Sequence, residues 1–157
     1  FQRYPKDKAF FQPDCPRADI ENCSVEQIVN SYDNTIRYTD FVLDKTIAKL
    51  KALEEKYNTA LIYVSDHGES LGENGLFLHG MPYGLAPDFQ KRVPMMLWMS
   101  PGFKQAKHIN ADCLGQEAQK TETHSHDNVF HSLLGVMDIE TNAYDGKLDI
   151  FKTCRAS

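Results

Sequence analysis

An acidic residue and a histidine, Asp66 and His67, directly follow an apolar segment of the chain, in the stretch YVSDHGESLGENGLFLHG at 63–80. A carboxylate and a neutral imidazole are both common zinc ligands. Adjacent residues reach one ion where the backbone turns out of a strand, and Gly68 permits such a turn. A divalent cation would also compensate a carboxylate placed beside a buried sheet. The pattern therefore predicts zinc ligation by Asp66 and His67.

A purely structural interpretation of the same residues stays open. In it, Asp66 caps a helix that begins at His67, and the histidines are satisfied by hydrogen bonds. If the glycine-rich segment folds back over the same edge, His79 instead contacts a second metal or a phosphate group. Glu69 is then expected to hydrogen-bond to a ligand and orient it. The remaining histidines are expected in loop, surface or helix-start positions: His108, His124, His126 and His131.

The elements that must position these side chains are two apolar segments rich in strand formers, 59–65 and 93–100. Neither segment alternates cleanly, which predicts strands buried on both faces. A helix over about 25–56 precedes the first strand, because Ser24 and Gln27 form a capping-box pattern and apolar residues then recur at helical spacing. A helix followed by such a strand predicts an α/β fold with a parallel sheet. Ligands bind beyond the carboxyl ends of strands in open α/β sheets, and the acid–histidine pair lies at such an end.

Two further segments complete the expected architecture. The long glycine-rich connection at 66–92 is expected to be an ordered, functional loop. A helix is predicted over 126–137, with Val129, Leu133 and Val136 on its inner face.

Composition places the chain among ordinary globular proteins. Its 157 residues are the length of one domain, and its 41% hydrophobic content is ordinary for a globular protein. The net charge is −5. Its basic residues are scattered, which argues against nucleic acid as a partner. No apolar run approaches the ~20 residues that span a bilayer. The polar start, FQRYPKDK, contains no signal peptide and says nothing about targeting.

The four cysteines are Cys15, Cys23, Cys113 and Cys154, and none belongs to a CxxC pair. Their spacing disfavours a zinc ribbon and favours two bridges, 15–23 and 113–154, in an oxidising compartment. Four reduced cysteines in a cytosolic protein is the alternative, and four cysteines allow three pairings.

The stretch SDHGESLGENGLFLHGMPYGLAPDFQKRVPMMLWMS at 65–100 closely resembles the lipid A phosphoethanolamine transferases of Gram-negative bacteria, which include the mobile colistin-resistance enzymes. The wider group is the alkaline-phosphatase and sulfatase superfamily. The resemblance implies an α/β/α sandwich, of which residues 1–157 form the C-terminal part of the periplasmic catalytic domain. The N-terminal half of that domain and the membrane domain would be absent. The similarity extends to RYP at 3–5, the spacing of the first two cysteines, YDNT at 32–35 and HDNVFHSLLG at 126–135.

The resemblance also implies a function. Members of the family move phosphoethanolamine from phosphatidylethanolamine to lipid A through a phospho-threonine enzyme, which gives polymyxin and colistin resistance. In them, the residues matching Asp66 and His67 bind the catalytic zinc together with a glutamate and the threonine nucleophile. The histidine matching His79 lies in the substrate pocket, where it holds phosphate or additional zinc.

The glutamate and the threonine lie upstream of the matched region in the family. No catalytic nucleophile is therefore expected in this chain, and the chain alone is expected to be inactive. The full enzyme is expected to be a monomer at the periplasmic face of the inner membrane. Two alternatives remain: another sulfatase or phosphotransferase of the superfamily, which the GENGLFLHG loop disfavours, and a non-catalytic fragment that binds zinc weakly or not at all.

Overall fold

The structure is a computed structural model that describes residues 3–120 and 124–156. Contacts divide the chain into a first unit, Phe1–Leu50 with Ile62–Met96, and a second unit, Lys51–Leu61 with Leu97–Ser157. Helices and strands are mixed along the chain, in agreement with the predicted α/β class. Within the described ranges, no helix combines the length and the apolarity that crossing a bilayer requires. In chain order, the elements are α1 (Val25–Lys51), β1 (Ala60–Val64), β2 (Ser70–Leu71), β3 (Phe77–Leu78), α2 (Asp88–Lys91), β4 (Met95–Met99), α3 (Pro101–Ala106), α4 (Ala111–Glu117) and α5 (Asp127–Val136).

Helix α1 begins at the predicted capping box. The backbone N–H of Gln27 donates to Ser24 Oγ over 3.2 Å, and the N–H of Ser24 donates to Gln27 Oε1 over 2.9 Å. The helix ends at Lys51, five residues before the predicted end near 56. The backbone tightens there, because the N–H of Glu54 donates three residues back to the Lys51 carbonyl.

The buried face of α1 is polar. Asn34 is fully buried, and its Oδ1 accepts from the N–H groups of Phe10 and Phe11 over 2.7 and 2.8 Å. Ser31 Oγ accepts from the N–H of Cys15 over 2.7 Å. The irregular N-terminal segment thus obtains partners for its backbone from this helix, as buried backbone groups require.

Strands β1 and β4 are paired, and they lie within the two predicted apolar segments. The N–H of Ser65 donates to the Pro94 carbonyl, and the N–H of Ser100 donates to the Thr59 carbonyl. These bonds join opposite ends of the strands, so the pair is antiparallel and the predicted parallel pairing is wrong. Parallel strands need a crossover that is usually a helix, whereas the longest helix between these two strands has four residues. Both strands are half-buried along their length, so burial on both faces was wrong as well.

In the second unit, helix α5 lies within one residue of the predicted bounds, but its buried face differs. Asn128 and Ser132 are buried, whereas Leu133 is 41% exposed, so the predicted inner position of Leu133 is wrong. The buried polar side chains bind backbone: Asn128 Nδ2 donates to the Leu148 carbonyl, and Ser132 Oγ accepts from the N–H of Ile150. These bonds explain why polar residues take the inner positions.

The two predicted disulfides are confirmed. Cys15 is bonded to Cys23 within the first unit, and Cys113 is bonded to Cys154 within the second. The second bridge ties the C-terminal segment to α4, beside the fully buried ring of Phe151.

Candidate metal centre

A hairpin formed by β2 and β3 brings His79 back to the acid–histidine pair. Ser70 is paired with Leu78, and Leu71 is paired with Phe77, in an antiparallel register. Continued by one residue, this register places Glu69 opposite His79. The two side chains meet there, with 2.9 Å between His79 Nδ1 and Glu69 Oε1. The glycine-rich segment therefore folds back towards the acid–histidine pair as a hairpin, as the sequence predicted.

The backbone on either side of His79 has an unusual conformation. Leu78 has a φ of 62° and Gly80 has a φ of 104°, both in the left-handed region. Such a φ costs roughly 1 kcal/mol or more for a residue with a side chain, and strain of this kind concentrates at functional sites. The regular extended backbone of β3 therefore ends at Leu78, directly before His79.

His67 lies against His79. The centroids of the two imidazole rings are 3.6 Å apart, and the rings are tilted by 31°. Ser65 Oγ donates to the His67 carbonyl over 3.0 Å, which fixes the backbone at the point where β1 has ended. Within the described residues, the ligand atoms of His67, Glu69 and His79 form one group, all within 4.8 Å of one another.

Hydrogen bonds determine which nitrogen of each imidazole is available. His67 Nδ1 lies 3.0 Å from the Gly68 carbonyl oxygen, and His79 Nδ1 lies 2.9 Å from a carboxylate oxygen of Glu69. A carbonyl and an ionised carboxylate only accept, so each Nδ1 carries the hydrogen in these bonds. In the neutral imidazoles the lone pair is then on Nε2, which is the arrangement typical of metal-binding histidines.

Asp66 is the most exposed member of the site, with 88% of its side chain accessible. Its Oδ1 accepts from the backbone N–H of His67 over 3.0 Å. This bond, followed by the charge of His67, lowers the pKa of Asp66 from its usual value, so the carboxylate stays ionised. Residues 66–69 are not helical, so the helix start of the structural interpretation is absent, although both histidines do make hydrogen bonds.

Glu69 occupies a more central place than the sequence indicated. Its Oε1 binds His79, whereas its Oε2 is buried and has no hydrogen-bond partner among the residues that the structure describes. Burial, and then the charge of Glu69, raises the pKa of Tyr32. A buried acidic oxygen without a donor is rare in folded proteins and favours a site that receives a cation or a donor group. This role follows from the hairpin register, which places residue 69 opposite residue 79.

The donor set fits a zinc ion. Asp66 Oδ2 and His67 Nε2 are 3.7 Å apart. Two ligands at about 2.0–2.1 Å from a tetrahedral zinc lie roughly 3.4 Å apart, so a small adjustment brings both atoms onto one ion. The remaining histidines do not join the cluster: His108, His124, His126 and His131 are elsewhere, and His131 Nδ1 accepts from the backbone N–H of Asp145.

Comparison with known proteins agrees with this architecture. Phosphoethanolamine transferase EptA of Escherichia coli (strain K12) is 48% identical over 155 residues, which cover 99% of this chain and 28% of EptA. Phosphatidylethanolamine transferase Mcr-1 of Escherichia coli is 42% identical over 98 residues, 62% of this chain and 18% of Mcr-1. The crystal structure of the soluble domain of lipooligosaccharide phosphoethanolamine transferase A from Neisseria meningitidis superposes with a TM-score of 0.91 at 41% identity, covering 99% of this chain and 46% of that one. The chain thus spans less than a third of the length of EptA and of Mcr-1. A family model described as sulfatase matches residues 1–139, and the chain therefore belongs to the sulfatase family.

Proposed function

We propose that this chain is part of a zinc-dependent transferase that moves phosphoethanolamine from phosphatidylethanolamine to lipid A and thereby gives polymyxin and colistin resistance. The observation that carries the proposal is the compact group of ligand atoms from His67, Glu69 and His79, which lie within 4.8 Å of one another. The ionised carboxylate of Asp66 faces His67 Nε2, and Glu69 binds the second imidazole beside them. The names and the similarity of the EptA and Mcr-1 relatives support the choice of transferred group.

In this proposal, Asp66 and His67 hold the zinc ion. Asp66 supplies a carboxylate whose lowered pKa keeps it ionised, and His67 supplies the Nε2 lone pair that the Gly68 carbonyl leaves free. When bound, zinc lowers the pKa of a hydroxyl nucleophile and screens charge on the phosphoryl oxygens.

His79 is assigned to a phosphate group or to a second metal ion. Its Nδ1 donates to Glu69, so Glu69 fixes the direction in which Nε2 points. The ring of His67 packs against the His79 imidazole, with 3.6 Å between the ring centroids. The two contacts hold His79 in one orientation before substrate arrives, which reduces the entropy lost on binding.

The remaining parts of the proposal concern the whole protein. The threonine nucleophile and the contacts to the membrane would come from residues outside these 157, so the chain alone is expected to be inactive. Two disulfides favour an oxidising compartment, which fits the periplasmic face of the inner membrane.

The test is Asp66→Asn in the intact polypeptide that contains this chain. The substitution keeps the shape of the side chain and removes its charge, so we expect zinc content and phosphoethanolamine transfer each to fall, transfer by about 100-fold or more. Zinc is measured by mass spectrometry of the purified protein, and transfer is measured on lipid A. Asp112→Asn, which changes an exposed acid at the start of α4, is the matched control and should change neither quantity.

Two outcomes would contradict the proposal. Unchanged zinc content and transfer in Asp66→Asn would remove the role of Asp66. A parent protein that transfers no phosphoethanolamine but hydrolyses a sulfate ester would instead favour another activity of the superfamily.

A further inference from the structure

One residue outside the hairpin, Gln90, makes hydrogen bonds to the residues on either side of Glu69, Gly68 and Ser70. The backbone N–H of Gly68 donates to the Gln90 carbonyl over 3.1 Å. The side chain of the same glutamine reaches back, and Gln90 Nε2 donates to Ser70 Oγ over 2.9 Å. Gln90 belongs to α2, a four-residue helix twenty residues further along the chain.

Both contacts are shielded from water. Gln90 is 7% exposed and Ser70 is 1% exposed, so water cannot take the place of either hydrogen-bond partner. The two segments also touch directly, because a Cβ atom on Gly68 would overlap the carbonyl oxygen of Phe89. A buried hydrogen bond supported by close backbone contact restricts its residues far more than a surface bond does.

The Ser70 contact also affects His79. Ser70 is the residue of β2 that is paired with Leu78 in β3, directly before His79. Because a strand pair moves in register, fixing Ser70 fixes where the His79 imidazole meets Glu69. The bond from Gly68 to the Gln90 carbonyl restrains the backbone directly after His67. Gln90 is thus linked to both imidazoles through the residues that flank Glu69.

We propose that Gln90 is a positioning residue for the metal centre. Its carbonyl fixes the turn that presents His67, and its side-chain amide fixes the strand that presents Glu69 and His79. This inference rests on the proposed function, because it takes these side chains to be the zinc and phosphate ligands. It predicts that loss of the buried amide loosens the ligands before metal binds, so that part of the binding free energy is spent on ordering them.

The experiment measures zinc affinity by chelator competition in the intact polypeptide, with unfolding of the metal-free protein measured in parallel. Gln90→Ala and Ser70→Ala should each weaken zinc binding by about 10-fold, at the lower end for residues that orient ligands. Because both changes break one bond, the double variant should bind no more weakly than the weaker single variant. Gln90→Glu keeps a group that can accept from the Ser70 hydroxyl, and it should bind zinc more tightly than Gln90→Ala.

Ser132→Ala is the matched control. Ser132 is also a 1% exposed serine, and its Oγ accepts from the N–H of Ile150 in the second unit. Its loss should lower the stability of the metal-free protein and leave zinc affinity unchanged.

The outcomes separate this inference from the proposed function. A parent protein that binds zinc, together with a Gln90→Ala variant that binds it equally well, would overturn the positioning role alone. Equal weakening by Ser132→Ala and Ser70→Ala would also overturn it, because general loss of stability would then account for the effect. A parent that binds no zinc would overturn the proposed function and, through it, this inference.

Discussion

The two units each contain a buried or half-buried carboxylate, but only one of the two is fully paired. In the second unit, Asp149 is 4% exposed and accepts from Tyr144 Oη over 2.7 Å and from the N–H of Phe151 over 2.9 Å. Burial, and then the bond to Asp149, raises the pKa of Tyr144 to about 12, so the phenol remains a donor. In the first unit, Glu69 binds His79 through one oxygen, and its other oxygen is buried without a partner among the described residues.

The difference concerns the hydrogen-bond partners of the two carboxylates. A fully paired carboxylate stabilises its surroundings and leaves no group for a ligand. Burying a carboxylate oxygen without a donor costs free energy, and a bound cation or donor group offsets that cost. Under the proposed function, we therefore expect the Asp149 network to stabilise the fold and the Glu69 hairpin to bind a ligand.

Two glycines give the strongest test of this assignment. A Cβ atom on Gly68 would overlap the backbone carbonyl of Phe89, whereas a Cβ atom on Gly135 would overlap the carboxylate of Asp149. Backbone moves less readily than a side chain, so we expect Gly68→Ala to lower the free energy of unfolding by about 3 kcal/mol and Gly135→Ala by about 2 kcal/mol. Only Gly68→Ala should also abolish zinc binding, because it displaces His67.

Denaturant unfolding and zinc titration of both variants in the intact polypeptide provide the measurements. If Gly135→Ala weakens zinc binding as much as Gly68→Ala does, the two regions are not functionally distinct.

Two helix caps test whether burial determines the cost of a lost hydroxyl. Ser100 is 1% exposed, and its Oγ accepts from the N–H groups of Phe103 and Thr59, each over 3.1 Å. The Oγ of the exposed Ser24 accepts from the N–H of Gln27 over 3.2 Å. We expect Ser100→Ala to cost about 2 kcal/mol, because it leaves a buried N–H unpaired, and Ser24→Ala to cost about 1 kcal/mol. Equal losses in thermal or denaturant unfolding would contradict the dependence on burial.

The sequence predicted elements better than it predicted their arrangement. Apolar runs and the Ser24 capping box located β1, β4 and the start of α1, because those signals are local. Whether the two strands pair parallel or antiparallel depends on the path that residues 65–94 take between them. No local pattern in that segment specifies this path. Helices α3 and α4 were missed although Ser100 and Asn110 cap them through Phe103 and Cys113. Both helices are too short for periodicity to show.

For the site, the sequence predicted ligand roles for Asp66, His67 and His79. The structure groups the ligand atoms of His67 and His79 with those of Glu69, whereas Asp66 lies 3.7 Å from His67 and outside that group. The sequence did not predict the full role of Glu69, which follows from the register of Ser70 with Leu78. The contribution of Gln90 was also invisible, because a buried hydrogen bond across twenty residues leaves no periodic trace. The prediction of the inner face of α5 failed for a related reason. Polar side chains that bind backbone groups take the inner positions, and Leu133 is exposed.

The smallest expected effect concerns an ion-pair cluster in the second unit. Asp138 accepts from Lys107 Nζ and from Arg155 Nη2, each over 2.6 Å, and these bonds, with Lys107 first, lower the pKa of Asp138 to about 2. Since the folded pKa lies below the unfolded value of about 3.9, the stabilisation is present above pH ~4 and is lost as the pH falls through ~2. The side chain is 57% exposed, so solvent screening limits the effect to less than about 1 kcal/mol.

We therefore expect Asp138→Asn to lose less than about 1 kcal/mol of unfolding free energy at pH 6 and to show a weaker loss of stability than the parent between pH 4 and pH 2. Urea unfolding across that range measures the difference, with Asp112→Asn as the exposed control. Because Asp138 belongs to the paired, structural region, its substitution should leave zinc affinity at pH 7 unchanged. A parallel pH dependence in the parent and in Asp138→Asn would show that the cluster contributes nothing to stability, and a changed zinc affinity would show that the separation between a structural region and a binding region does not hold.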